Sequence, residues 1–214
     1  MRIIAGEAKG HTLYAPQGQD TRPTSDKIRG SIFNILGARV EDARVLDLFG
    51  GTGALALEAL SRGAASAVIV DLSRQAAQAI ERNARATVRR EYEARVRLIR
   101  ADYRSAIAAA GGEPFDLVFL DPPYRMTQAY GDALSRLLAA GALAEDCRIV
   151  MERRRGAEVA LPEGFEVIDT RLYGETAVDF VKRITHQPPL GGGVAGVSGR
   201  DELRPATPGA ERKD

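Results

Sequence analysis

Cysteine, histidine and net charge are all scarce in this 214-residue chain. The one cysteine, Cys147, leaves no internal disulfide and no cysteine-built zinc site. The two histidines, His11 and His186, stand far apart, so a histidine-built metal site is not expected either. A formal net charge of +1 rules out a polycation, although the basic residues cluster locally. No apolar run approaches the length of a membrane span, and the start, Met1-Arg-Ile-Ile-Ala, lacks the apolar core of a signal peptide. A cytoplasmic monomer with no metal and no membrane partner is therefore expected. At 44% hydrophobic the chain can bury a core, and its length suits one α/β domain with a small appendage or tails.

What the chain does have is alternation. Residues 1–15 read as a two-stranded hairpin around a turn at residues 6–10. A Pro-, Gly- and polar-rich loop at 16–23 leads to a helix capped by Thr24 or Ser25, with Ile28, Ile32, Ile35 and Leu36 on one face. Gly30 weakens that helix by about 1 kcal/mol relative to alanine. Residues 1–40 carry six basic and three acidic side chains, with Arg22, Lys27 and Arg29 close together. Beyond residue 40, strands are expected at 45–49, 67–71, 96–99, 115–121, 148–152, 165–168 and 177–181. Helices are expected at 54–61, 73–90, 103–110 and 129–140. This implies a mostly parallel sheet covered by helices on both faces and closed by a hairpin turning at Gly174. Residues 185–214 show no periodicity and read as a disordered tail.

Two stretches carry chemistry. The first, Asp47-Leu-Phe-Gly-Gly-Thr-Gly53, joins the first strand to a helix and contains Gly51-x-Gly53-x-x-Ala56, the minimal dinucleotide fingerprint. The loop fits a dinucleotide or S-adenosylmethionine (AdoMet). Three carboxylates favour AdoMet. Asp47 suits the amino group of a methionine moiety and would oppose a pyrophosphate. Asp71, at the end of the second strand, can accept from both ribose hydroxyls. Asp102, beside Tyr103, can accept from an adenine amino group, and it equally suits a helix N-cap.

The second stretch, Phe115-Asp-Leu-Val-Phe-Leu-Asp-Pro-Pro-Tyr124, is a buried strand that ends in a stiff polar corner. Pro122 and Pro123 fix their own φ and restrict the residue before each. A carboxylate, a carbonyl that cannot easily reorient and an aromatic ring are thus presented where ligands bind in open α/β sheets. A nucleobase exocyclic amine is a poor nucleophile because its lone pair is delocalised into the ring. An oxygen of Asp121 and the Pro122 carbonyl could each accept one of its N–H groups and aim the lone pair at a sulfonium methyl. Tyr124 would stack on the base, a contact worth about 1–3 kcal/mol.

With these residues in place, the chain resembles the bacterial RsmD family of small-subunit ribosomal RNA guanine-N2 methyltransferases. The resemblance runs from Arg2 to about Arg183. It rests on Arg2-Ile-Ile-Ala-Gly, Thr21-Arg-Pro-Thr-Ser-Asp-Lys-Ile-Arg29, Phe33-Asn-Ile-Leu36, the glycine loop, Leu57-Glu-Ala-Leu-Ser-Arg-Gly63, Asp121-Pro-Pro-Tyr124 and Tyr173-Gly174. It implies a Rossmann-like class I methyltransferase fold with a seven-stranded, mostly parallel sheet and a closing antiparallel hairpin. A hairpin-and-helix appendage at residues 1–40 would face RNA, residues 41–184 would form the catalytic domain, and 185–214 would be a tail. The implied activity is AdoMet-dependent methylation of guanine N2 in 16S rRNA, within the small ribosomal subunit or a late precursor. Asp121, Pro122 and Tyr124 would be catalytic. Asp47, Phe49, Gly51, Gly53, Asp71, Asp102, Tyr103 and Thr24 would hold the cofactor, and Lys9, Arg22, Lys27 and Arg29 the RNA. The sequence departs from the family pattern at Gly30, where Glu is usual, at Asp71, where Glu is common, and at His11, where a basic residue is common. Rival readings are an adenine-N6 DNA methyltransferase, a protein glutamine methyltransferase, a non-catalytic ribosome-assembly factor and a nucleotide-dependent oxidoreductase.

Overall fold

The computed structural model describes residues 1–16 and 26–184. The expected helix cap at Thr24 or Ser25, most of the preceding loop and the expected tail lie outside them. The elements run α1 (Asp26–Leu36), β1 (Arg44–Asp47), α2 (Ala54–Ser61), β2 (Ser66–Val70), α3 (Arg74–Val88), α4 (Tyr92–Arg95), β3 (Val96–Ile99), α5 (Tyr103–Ala110), β4 (Phe115–Leu120), α6 (Gln128–Ala139), β5 (Leu143–Arg154), β6 (Phe165–Tyr173) and β7 (Thr176–Arg183). Short 3-10 turns follow α1 and α3.

The strands form one sheet in the order β3-β2-β1-β4-β5-β7-β6. The first five are parallel, and β7 runs antiparallel between β5 and β6. The central strands are apolar on both faces because both faces are covered. Val45, Ile69, Leu117, Phe119 and Val150 pack with α1, α2 and α3. Leu46, Val70, Val118, Leu120 and Met151 pack with α5 and α6. The chain moves outward from β1 through β2 to β3, then returns to place β4 on the other side of β1. That reversal opens a crevice beyond the carboxyl ends of β1 and β4, the switch point where open α/β sheets bind ligands.

The front segment differs in detail from expectation. Residues 1–15 make a hairpin-like turn with one isolated bridge, Arg2 to Thr12, instead of two strands. Its backbone is spent on α2 instead. The Ile4 and Ala5 N–H groups donate to the Glu58 carboxylate at 2.7 and 3.1 Å, and the Glu7 N–H donates to the Ser61 carbonyl at 2.8 Å. Gly6 permits this approach: at φ +81°, a Cβ there would fall 1.7 Å from that carbonyl oxygen. In α1, Ile35 is exposed and Phe33 takes the inward position, packing its ring on Phe119 at 5.8 Å. The strand β6 is longer than expected because β7 pairs with it from Phe165 to Tyr173, and β5 is longer because Leu143 pairs with Phe115 of β4 at one end and β7 pairs with Arg153 and Arg154 at the other. The turn at Gly174 joins β6 to β7, and the Tyr173 hydroxyl hydrogen-bonds Ser31 of α1.

Candidate functional site

The crevice is a cavity of about 510 Å³. Asp47 ends β1 on the face that carries Val45. Asp121 lies two residues past Phe119 and just beyond β4, so strand alternation sends it to the same face. Leu120 pairs with Met151 in the β4–β5 register, which sets Glu152 of β5 beside Asp121. All three carboxylates line the cavity. Carboxylates this close, out of water, resist ionising together. The Asp121 carboxyl is accordingly pushed well above its ordinary range, first by burial, then by Glu152 and Asp47.

Asp47 is 1% exposed, and its carboxyl is raised to about 7. Burial is the largest cause and Asp71 adds to it, while backbone N–H groups of Phe49 and Ala56 pull the other way. One of its oxygens, Oδ1, is buried without a hydrogen-bond partner. A buried acceptor in that condition costs free energy until a donor arrives, and a cationic donor suits it best.

The glycine loop wraps this carboxylate. Gly51 takes φ +57° and faces open space where a Cβ would stand, while its N–H donates to Asp71 Oδ2 at 2.9 Å. Gly50 is the tighter position, because a Cβ there would come within 2.5 Å of Ile69. Asp71 accepts from the Ser73 N–H through its other oxygen at 2.8 Å. Both Asp71 oxygens are thus oriented by backbone, and each keeps a second lone pair for a ligand. Asp102 does serve as an N-cap, accepting from the Arg104 N–H at 2.9 Å, while still lining the cavity. The Tyr103 ring sits 5.3 Å from that of Phe49, and its hydroxyl donates to Asp132 at 2.6 Å. Pro122 and Pro123 form the wall beside Asp121, and Tyr124, 39% exposed, stands at the rim.

Of the residues proposed for cofactor and catalysis, Asp47, Phe49, Gly51, Asp71, Asp102, Tyr103, Asp121, Pro122 and Tyr124 thus meet around one cavity. Gly53, at φ +80°, is the N-cap residue of α2 at the end of the same loop. Thr24 and Arg22 lie outside the described residues. Lys9 and Lys27 are exposed. Arg29 corrects the expectation of a phosphate contact. It is fully buried, with its guanidinium donating to Asp26 at 3.0 Å and to the Arg2 carbonyl, and with Nε 3.6 Å from Glu58. Its charge is committed to holding the front segment on α2.

Three cavity or scaffold residues escaped the sequence reading. Glu152 follows the apolar run Ile149-Val150-Met151 of β5, and only the β4–β5 register reveals its neighbour. Leu72, 68% exposed beside Asp71, presents an apolar ledge to the cavity. Asn83 of α3 is buried and joins two distant segments. Its amide donates to the carbonyls of Tyr14 and Thr52, both at 2.9 Å, and its oxygen accepts from the Tyr14 N–H at 2.8 Å.

Comparison with known proteins decides the family. The family model described as "Conserved hypothetical protein 95" matches residues 1–182. The "Ribosomal RNA small subunit methyltransferase D" of Escherichia coli (strain K12) is 36% identical over 184 residues, covering 86% of this chain and 90% of that protein. The chain belongs to the RsmD family. A further relative, YlbH of Bacillus subtilis (strain 168), is 39% identical over 188 residues, covering 86% of this chain and 99% of its own length. The solved structure of yhhF from Escherichia coli superposes with a TM-score of 0.75 at 30% identity, covering 86% of this chain and 98% of that one. The RsmD-family fold is the class I methyltransferase fold, and the sheet order and crevice described above are its frame. Among the described residues no three His, Cys, Asp or Glu side chains are placed to hold a metal ion, and no helix is long and apolar enough to cross a membrane.

Proposed function

We propose that this RsmD-family member transfers a methyl group from AdoMet to the exocyclic N2 amine of a guanine in 16S rRNA of the small ribosomal subunit. The observation that carries the reading is one cavity lined by two sets of groups. One is a buried acceptor, Asp47, with an unpartnered oxygen. The other is Asp121, Pro122 and Tyr124. The residues fit AdoMet. Asp47 would take its ammonium, Asp71 its ribose and Asp102 its adenine, with Phe49 and Leu72 flanking the ring. AdoMet, when bound, supplies an electrophilic methyl on a sulfonium. Asp121 and the Pro122 carbonyl accept the two N–H groups of the target amine and hold its lone pair in line with that methyl. Tyr124 stacks on the base once it has left its own stack. The amine proton departs to water after transfer. A front segment spanning 1–40 would face RNA through Lys9, Lys27 and Arg22, with catalysis in 41–184. The substrate assigns the protein to the cytoplasm.

The test is incubation with labelled AdoMet and unmethylated small subunits, followed by digestion to nucleosides. N2-methylguanosine is the expected product. Label in adenine, in duplex DNA or in protein glutamine points to the rival substrates. Asp121→Ala lowers kcat by about 100-fold or more while the AdoMet Kd stays the same. Asp121→Asn, which keeps an acceptor oxygen, retains part of the rate. An unchanged rate in the alanine variant would overturn the role given to Asp121.

A further inference from the structure

A second cavity, of about 690 Å³, opens where the front turn meets the end of α3. Lys9 and His11 line it from the front turn, Arg89 and Arg90 from the turn after α3, and Arg95 from the end of α4. Of the acids near this rim, Glu7 lines the cavity and enters no ion pair among the described residues, while three others are taken. Glu91 pairs with Arg95 at 2.5 Å, and Glu93 and Glu81 both pair with Arg85 at 3.0 and 3.1 Å. Lys9, Arg89 and Arg90 enter no ion pair among the described residues. They are exposed, and these three cations outnumber the one unpaired acid, Glu7, that lines the same cavity among the described residues.

A track leads from there back to the methyl-transfer cavity. The helix α3 begins beside Ser73, which lines the first cavity, and ends at Val88, which lines the second. At 1.5 Å per residue the two are about 20 Å apart. Arg82 lies between them on the exposed face of α3, its guanidinium 4.2 Å from the ring centroid of Tyr14. Tyr14 is itself 44% exposed. A guanidinium stacked on an open aromatic ring is a surface that suits unpaired nucleotides as well as phosphates.

Arg89 adds a backbone observation. It adopts φ +56° and ψ −117°, a region natural to glycine and costly for a residue with a long side chain. A charged residue holds a place where glycine would relax the turn.

We infer that the RNA substrate docks its phosphate backbone along a basic track made of Arg82, Arg89, Arg90 and Lys9, ending in the second cavity. This rests on the RNA-methyltransferase reading. The track is long enough for several consecutive phosphates and far enough from the target amine to position the substrate without touching the chemistry.

The test uses the full chain and unmethylated small subunits at several salt concentrations. Arg89→Glu combined with Arg90→Glu raises KM for the subunit about tenfold or more, with kcat at saturation and AdoMet Kd within twofold of the parent. The slope of log affinity against log salt falls by about one for each phosphate that the variant no longer neutralises. Arg89→Gly separates charge from structure: its thermal midpoint equals or exceeds the parent's, while KM for the subunit still rises. Unchanged KM and salt slope in both variants overturns the track. A KM rise that occurs only together with a lowered thermal midpoint in Arg89→Gly also overturns it, because the turn would then matter for folding alone. Should the parent protein methylate no small subunit, the functional reading fails. The track is then judged separately by salt-dependent binding of ribosomal RNA, parent against charge-reversed variant.

Discussion

Asp47 shows most directly how one side chain links stability to ligand. Its carboxyl rises from 3.8 to about 7 on folding, chiefly through burial. Between those values the unfolded chain has released the proton that the folded chain retains. The folded state therefore binds more protons across that window, and the Asp47 contribution to stability falls as pH rises from about 3.8 to about 7, then levels off. A cationic ligand group needs the ionised form, so the AdoMet Kd should tighten from pH 6 toward pH 8, by at most about tenfold per unit. Asp47→Asn should be more stable than the parent at pH 8, bind AdoMet weakly and lose this pH dependence. Calorimetric titrations at three pH values, with denaturant curves at pH 8, check both parts. Asp47 announces itself in sequence by ending a strand at the glycine loop, and Asp71 by following the next strand. Glu152 does not, because an acid after a short apolar run looks like any strand terminus until the register places it next to Asp121.

Among the elements, the joint between the front segment and α2 holds a buried ion pair. Glu58 and Arg29 are both fully buried, and the Arg62 Nε donates to Glu58 at 2.7 Å. Two backbone N–H groups from the front segment complete the set. Glu58→Ala would leave the buried guanidinium with only the partly exposed Asp26 as counter-charge and would strip two backbone N–H groups of their acceptor, so a loss of about 3 kcal/mol in unfolding free energy is expected from denaturant curves. Gly30, the departure from the family pattern in α1, behaves oppositely. A Cβ there would meet only Ile4 Cδ1 at 3.8 Å, an ordinary contact. Gly30→Ala should therefore raise stability by about 1 kcal/mol in the same assay, through helix propensity and loss of unfolded-state freedom. Local patterning reads α1 as amphipathic but cannot say that Arg29 belongs to its inner face. An arginine becomes an inner residue only when a buried carboxylate on another helix waits for it.

The whole molecule places its ligand crevice at a seam between strands, with helices sealing both faces of the sheet. Ligand that binds only the folded form adds its binding free energy to stability. AdoMet at about 100 times its Kd should contribute about 2.7 kcal/mol, a rise of about 5–10 °C in thermal midpoint for a chain of this size. NAD at the same concentration should leave the midpoint where it is. Differential scanning of the two mixtures distinguishes the methyltransferase reading from an oxidoreductase one. The glycine fingerprint by itself does not, since both cofactors need close backbone approach at the same turn.

The linear order of residues was enough to determine the alternation of strands and helices, the class I fold and its family. The alternation follows from apolar periodicity and from glycine and proline punctuation, and the fold and family from resemblance in short motifs, all of which are local. Tertiary structure alone decided which charges are spent inside. Arg29 turned inward to Glu58, Asp71 was oriented by the N–H groups of Gly51 and Ser73, and Glu152 came to rest beside Asp121. The physical reason is that ionisation and hydrogen bonding depend on neighbours and on water. Neighbours from positions 29 and 58, or 121 and 152, meet only when the sheet register and helix packing bring them together.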